Sequence, residues 1–178
     1  MINLKLTQET NEIVLHSLNL DIKQVSFSYA EHTYKPISIT NPSKDTVKFT
    51  FDQLLSKCDS AQLFISFSGS VSKKMKGYEE FRCSINIARF YECKAFQESN
   101  KYIVIGATQF EATDARRAFP CFDEPDRKST FSLTLTIPNS QIAISNTPIK
   151  TETQDPISST KTIEFEETPI MSTYLLAW

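Results

Sequence analysis

Charged and polar side chains suited to ion pairing or ligand binding are concentrated in residues 108–138, TQFEATDARRAFPCFDEPDRKSTFSLTLTIP. Gln109 and Glu111 are alternate residues, so at a strand end we expect both side chains on one face. In a β-sheet protein such a cluster forms either an ion-pair lattice that locks a loop or a binding site at a sheet edge. Composition alone favours the lattice. Its charged residues are Glu111, Asp114, Arg116, Arg117, Asp123, Glu124, Asp126, Arg127 and Lys128.

Two local elements must position these side chains. Residues 112–118, ATDARRA, are rich in helix formers and predict one short helix of one or two turns. This helix follows a strand that we expect to end near Gln109. The turn from Pro120 to Pro125 comes next, and the two prolines make it rigid because each ring fixes φ.

The rest of the chain shows the alternation of apolar and polar residues that is typical of half-buried strands. The phase of this alternation flips around residues 23–24, which predicts a bulge or a turn there. Roughly ten short strands with few helix signals predict an all-β antiparallel sandwich. The alternating apolar residues are Leu18, Leu20 and Ile22; Val25, Phe27 and Tyr29; Val47, Phe49 and Phe51; Leu63, Ile65 and Phe67; Phe131, Leu133, Leu135 and Ile137; and Ile163 and Phe165.

Composition excludes several classes of function. The net charge is only −2, from 19 Lys and Arg against 21 Asp and Glu, so no charge excess drives binding to nucleic acid or an anionic membrane. Three scattered glycines cannot form a phosphate-binding loop. Two histidines and four cysteines form no H-E-x-x-H or C-x-x-C pattern, so we expect no metal site and no cofactor in this chain. We also expect surface or core roles, not ligation, for His16 and His32.

Location follows from what the sequence lacks. No apolar run of about 18 residues is present, which predicts no membrane span. The first residues, MINLKLTQETNEIVLHS, do not read as a secretion signal. We therefore expect a cytoplasmic protein with reduced thiols.

The order T-Q-F-E, then A-R, then F-P-C-F-D-E-P resembles the signature of the N-terminal domain of zinc metallo-aminopeptidases. These are the gluzincins of the puromycin-sensitive and aminopeptidase N type. Residues 11–22, NEIVLHSLNLDI, and 169–178, PIMSTYLLAW, are similar to early and last strands of that domain. The resemblance spans most of the chain, whereas residues 69–96 match poorly and indicate a reshaped loop or strand.

The resemblance implies a saddle-shaped β-sandwich over residues 1–178, which we expect to be truncated at both ends. It also implies zinc in the full-length enzyme, held by an H-E-x-x-H helix and a downstream glutamate, with a G-x-M-E-N segment beside it. None of these motifs occurs in this chain. We therefore expect the catalytic zinc domain to be a missing partner and the chain to be inactive alone.

The resemblance assigns substrate-binding roles to Gln109 and Glu111. A carboxylate at the pocket wall binds the free α-ammonium group of a peptide by a charge-assisted hydrogen bond worth roughly 1.5–3 kcal/mol. By resemblance Glu111 supplies that carboxylate, while the Gln109 amide bonds the first residue of the peptide substrate. The alternatives are a strand-end glutamate that pairs with Arg116 or solvent, and a glutamine that satisfies backbone groups.

We predict structural roles for the remaining residues of the motif. The Arg116 guanidinium is suited to tie the helix to the following turn through carboxylates, with binding of a substrate carboxylate as the alternative. Cys121, between a proline and a phenylalanine, is expected to be a small buried residue and not a reactive thiol. The structural set is Arg116, Pro120, Cys121, Asp123, Glu124 and Pro125.

The leading hypothesis is the N-terminal domain of a zinc-dependent aminopeptidase that recognises the amino end of peptides. The alternative is a non-catalytic short isoform or fragment that acts as a protein-binding or regulatory module, with an exposed sheet edge that pairs with another chain. A third hypothesis, an adhesion module, is disfavoured by the motif and by the lack of a secretion signal.

Overall fold

The computed structural model describes residues 1–69 and 107–178, together with the backbone of two strands, Cys93–Glu98 and Lys101–Ile105. Most of the poorly matching stretch, residues 69–96, lies outside the described residues. The described chain is built from antiparallel strands with two short 3₁₀ helices, which confirms the all-β prediction. It divides into unit 1, Met1–Ser70 with Ala115–Asp123, and unit 2, Val71–Asp114 with Glu124–Trp178.

Unit 1 is a sandwich of two antiparallel sheets with strand orders β1-β7-β3-β4 and β2-β6-β5. Alternate residues of both sheets are buried in one shared core, as the period of two predicts. Phe27 and Phe51, from opposite sheets, meet edge to face with ring centroids 6.0 Å apart. The strands are β1 (Ile2–Leu6), β2 (Thr10–His16), β3 (Leu20–Tyr29), β4 (His32–Tyr34), β5 (Ser38–Thr40), β6 (Thr46–Leu55) and β7 (Cys58–Gly69).

The predicted phase flip in β3 is confirmed. The pairing of β3 with β7 shifts register between Ile22 and Gln24, so one extra residue is accommodated there. The bulge moves the inward-facing set from even to odd positions, and Val25 and Phe27 are consequently buried. Leu18 lies outside the strand, because β3 begins only at Leu20.

Unit 2 contains a three-stranded sheet of order β10-β12-β11 and a hairpin of β8 and β9. Ile163 and Phe165, alternate residues of the central strand, are buried. The strands are β8 (Cys93–Glu98), β9 (Lys101–Ile105), β10 (Thr134–Pro138), β11 (Ile149–Asp155) and β12 (Thr160–Phe165).

Two boundary predictions in unit 2 are wrong. Strand β10 begins at Thr134 and not near Phe131, because the Phe131 N–H donates to the Thr168 hydroxyl instead of a strand carbonyl. The predicted strand at residues 169–178 is instead a turn that contains the 3₁₀ helix Thr173–Leu175. The Ser172 hydroxyl donates to the Pro125 carbonyl at 2.5 Å and anchors this turn.

Candidate functional site

The TQFE segment, residues 108–111, does not lie at the end of a strand. Strand β9 ends at Ile105, Gln109 lies in an irregular stretch, and Glu111 begins a four-residue turn. The turn forms because the Asp114 N–H donates to the Phe110 carbonyl at 2.9 Å. The prediction that Gln109 and Glu111 share a face through strand alternation is therefore wrong.

The TQFE segment is fixed by Trp178, which is distant in sequence. The Thr108 N–H donates to the Trp178 carbonyl at 3.1 Å, and the Trp178 N–H donates to the Thr108 hydroxyl at 3.0 Å. Phe110 is fully buried and meets the indole ring edge to face at 5.4 Å. Two of the four residues in the segment thus have fixed positions.

The candidate binding residues differ in exposure. Gln109 is half-buried, whereas Glu111 is exposed to solvent. Within residues 1–69 and 107–178, no side chain donates a hydrogen bond to the Glu111 carboxylate.

Arg116 is the centre of a buried ion-pair lattice in unit 1. Its Nε donates to Asp123 Oδ2 at 2.9 Å, its backbone N–H to the same oxygen at 3.2 Å, and Nη2 to the Asp123 carbonyl at 3.1 Å. Nη1 pairs with the Asp45 carboxylate. The side chains of Arg116 and Asp123 are only 11% and 1% exposed. Geometry of this kind supports a structural role for Arg116.

The same lattice shortens the predicted helix. Only Ala115–Arg117 is helical, as one 3₁₀ turn, instead of residues 112–118. The Arg116 carbonyl accepts the Leu18 N–H at 2.8 Å, and the Arg116 N–H is engaged by Asp123. Since these backbone groups bond to other parts of unit 1, they do not extend a helix.

Hydrogen bonds, charge and burial shift the pKa values of Asp45, Arg116 and Cys121 at the lattice. The Ser43 hydroxyl lowers the pKa of the Asp45 carboxyl, and Arg116 lowers it further. Burial works against the charge of Arg116, but hydrogen bonds and charges of Asp123 and Asp45 raise its pKa. Burial raises the pKa of the Cys121 thiol far above its usual range, and the charge of Asp123 adds to this rise. The thiol is therefore protonated and a poor nucleophile.

His16 is part of the lattice, which the sequence analysis did not predict. Its backbone pairs with Cys121 through hydrogen bonds of 2.9 and 3.1 Å, and its Nδ1 accepts the Asp123 N–H at 3.1 Å. Asp45 was missed as well, because it lies 71 residues from its partner. For Asp45 the sequence signal was indirect, because an arginine guanidinium has five N–H donors and needs more than one acceptor.

The other motif residues are divided between the two units. Pro120 is buried in unit 1 next to Cys121. In unit 2, Glu124 is exposed and pairs with Arg127 at 3.2 Å. Pro125 is exposed, although its carbonyl is bonded by Ser172. The structure therefore brings Arg116, Cys121 and Asp123 together in unit 1, while Gln109, Glu111, Glu124 and Pro125 belong to unit 2.

A groove of about 370 Å³ lies beside the TQFE segment in unit 2. Its lining includes Ala107, Thr108, Ile142, Ile144 and Trp178. The two isoleucines are 85% and 77% exposed, so the groove opens to solvent. Its lining is mostly apolar and suits aliphatic more than charged groups.

Residues 1–69 and 107–178 contain no group of three or more His, Cys, Asp and Glu side chains that fits a metal ion. No helix among the described residues is long and apolar enough to cross a membrane.

Residues 1–175 match the family model of the peptidase M1 N-terminal domain. The chain belongs to this family. The membership confirms the resemblance of the T-Q-F-E and F-P-C-F-D-E-P motifs to aminopeptidases of the aminopeptidase N type.

Relatives of this M1 N-terminal domain are aminopeptidases from several kingdoms. The chain is 36% identical over 177 residues to Aminopeptidase 2 of Candida albicans, and the aligned region covers 99% of this chain and 17% of that protein. It is 32% identical over 181 residues to Aminopeptidase M1-A of rice, covering 99% and 19%. With bovine Aminopeptidase N the identity is 34% over 174 residues, covering 96% and 17%. The chain thus spans less than a fifth of the length of these relatives.

Proposed function

We propose that residues 1–178 serve as the N-terminal domain of a zinc-dependent aminopeptidase, and that Gln109 and Glu111 contribute to binding the amino end of the peptide substrate. The match to the M1 N-terminal domain over residues 1–175 carries this proposal. Exposure of the Glu111 carboxylate supports it, because an exposed carboxylate can accept hydrogen bonds from an ammonium group.

The described residues of this chain, 1–69 and 107–178, do not fit a zinc site. No H-E-x-x-H sequence is present, and the described residues hold no suitable ligand group. In our proposal zinc is therefore held by other residues of the enzyme, and this chain supplies recognition only. A cytoplasmic location stays a prediction.

The test uses a chimaera in which this chain replaces the matching 177 residues of Candida albicans Aminopeptidase 2. Hydrolysis of an aminoacyl-naphthylamide gives kcat and KM for each variant. We expect Glu111→Gln to raise KM by about 10- to 100-fold, because a charge-assisted hydrogen bond is worth roughly 1.5–3 kcal/mol and about 1.4 kcal/mol corresponds to tenfold.

Glu31→Gln is the matched control, since Glu31 is another exposed glutamate in a turn. We expect it to leave KM within about twofold of the parent. An unchanged KM for Glu111→Gln, or a folded chimaera without turnover, would contradict the proposal. Release of naphthylamine by the 178-residue chain alone, abolished by a zinc chelator, would contradict the assignment of zinc to other residues.

A further inference from the structure

We propose that Trp178 is a positioning residue for the amino-end site, with Thr108 and Phe110 as the residues through which it acts. The inference rests on the proposed function of Gln109 and Glu111. Trp178 itself has no assigned contact with a substrate. Its role is to fix Thr108 and Phe110, which flank Gln109 in the chain. Phe110 also directly precedes Glu111.

The first contact fixes the start of the TQFE segment. Thr108 makes three hydrogen bonds with the backbone of Trp178: its N–H donates to the carbonyl at 3.1 Å, its hydroxyl accepts the Trp178 N–H at 3.0 Å, and its hydroxyl also reaches the carbonyl at 3.3 Å. Two of the three depend on the hydroxyl. A side-chain hydroxyl at position 108 is therefore required for the full contact.

The second contact fixes the residue between Gln109 and Glu111. The Phe110 ring is fully buried and meets the Trp178 indole at 5.4 Å with an angle of 67° between the rings. The Phe110 carbonyl accepts the Asp114 N–H at 2.9 Å and so closes the turn that Glu111 begins. A shift of Phe110 consequently moves both candidate binding residues.

Trp178 is suited to this role because the residues before it are anchored. The Ala177 N–H donates to Asn146 Oδ1 at 2.7 Å, and the Ser145 hydroxyl donates to the Ala177 carbonyl at 2.8 Å. Asn146 Nδ2 also donates to the Leu175 carbonyl at 2.9 Å. Because a binding side chain must be held within about 0.5 Å of its productive position, such support is expected to show in affinity.

The experiment is a double-mutant cycle in the same chimaera. We expect Trp178→Leu to raise KM about tenfold with kcat within about twofold, since it removes the ring contact with Phe110. Trp178→Phe keeps an aromatic ring and is expected to restore KM to within about twofold. In the Glu111→Gln background the effect of Trp178→Leu is expected to shrink to about twofold, because the Glu111 carboxylate is gone and only the contribution through Gln109 remains.

Thr108→Val is the second variant, because it removes the hydroxyl contacts while it keeps size and the backbone bond to Trp178. If Trp178→Leu does not fold, the KM of Thr108→Val tests the inference instead. A rise in KM that is equal in the parent and in the Glu111→Gln background indicates a merely structural effect and overturns the inference. An unchanged KM for folded Trp178→Leu or Thr108→Val also overturns the inference. If Glu111→Gln itself leaves KM unchanged, the proposed function fails. If Glu111→Gln raises KM but the Trp178 and Thr108 variants leave it unchanged, only the inference about Trp178 fails.

Discussion

The F-P-C-F-D-E-P motif and the T-Q-F-E motif are neighbours in sequence, but they have different physical roles. Residues 115–123 belong to unit 1, where Arg116 and Asp123 are buried and share several hydrogen bonds. Residues 108–111 belong to unit 2, where the Glu111 carboxylate is exposed. Charge that is buried and paired maintains a fold, whereas an exposed charge on a fixed backbone is accessible to a ligand.

Removal of the Arg116 guanidinium is expected to have the largest effect on stability. Arg116→Met leaves the Asp123 carboxylate buried without its cation, which costs about 3–5 kcal/mol of unfolding free energy. Urea unfolding followed by circular dichroism measures this loss. The control is Arg127→Met, because the Arg127–Glu124 pair is exposed and worth less than about 1 kcal/mol. Equal losses for the two variants would remove the distinction between buried and exposed charge.

Acid is expected to weaken the same lattice, with a smaller effect. The pKa of Asp45 is lowered in the folded state by the Ser43 hydroxyl and then by Arg116, so its contribution to stability is present above the unfolded value of about 4. That contribution is lost as pH falls through the folded value. Because the Asp45 side chain is 43% exposed and water screens the pair, the loss is at most about 1 kcal/mol.

Urea unfolding at intervals from pH 7 to pH 3 tests this expectation. Asp45→Asn is expected to flatten the part of the profile below about pH 4 and to lower stability near neutral pH. A variant whose acid profile matches that of the parent would show that Asp45 does not contribute.

The smallest effect on stability is expected at Glu111. Glu111→Gln changes an exposed side chain and is expected to leave the free energy of unfolding within about 0.5 kcal/mol of the parent, although it raises KM. The same urea measurement on the 178-residue chain checks this. A loss comparable to that of Arg116→Met would mean that Glu111 supports the fold, and the contrast between the two motifs would no longer hold.

The sequence predicted those parts of the fold that depend on local periodicity. Val47, Phe49 and Phe51 alternate in the sequence and are all buried in β6, and the bulge in β3 was visible as a change of phase. The position of the TQFE segment could not be predicted this way. Its hydrogen bonds go to Trp178, 70 residues away, and no local pattern reports such a partner.

The ion-pair lattice was predictable only in part. An arginine close to Asp123 suggested a fork between helix and turn, and the structure shows these contacts. The other partners, His16 and Asp45, come from the beginning of the chain. Their approach depends on the pairing of β2 with β6, which places His16 opposite Thr46 and next to Asp45 in the fold. Strand pairing, and not a local sequence pattern, therefore determines that His16 and Asp45 join the lattice.

The assignment of residues 115–123 to unit 1 has a consequence during protein synthesis. All seven strands of the sandwich have been synthesised once the ribosome has passed Gly69. The Arg116 lattice and the backbone pairing of Cys121 with His16 cannot form until residue 123 has been added. At typical rates of about 5–20 residues per second, this delay is on the order of several seconds. During that interval the emerging sandwich carries the Asp45 carboxylate and the backbone of His16 without their native partners.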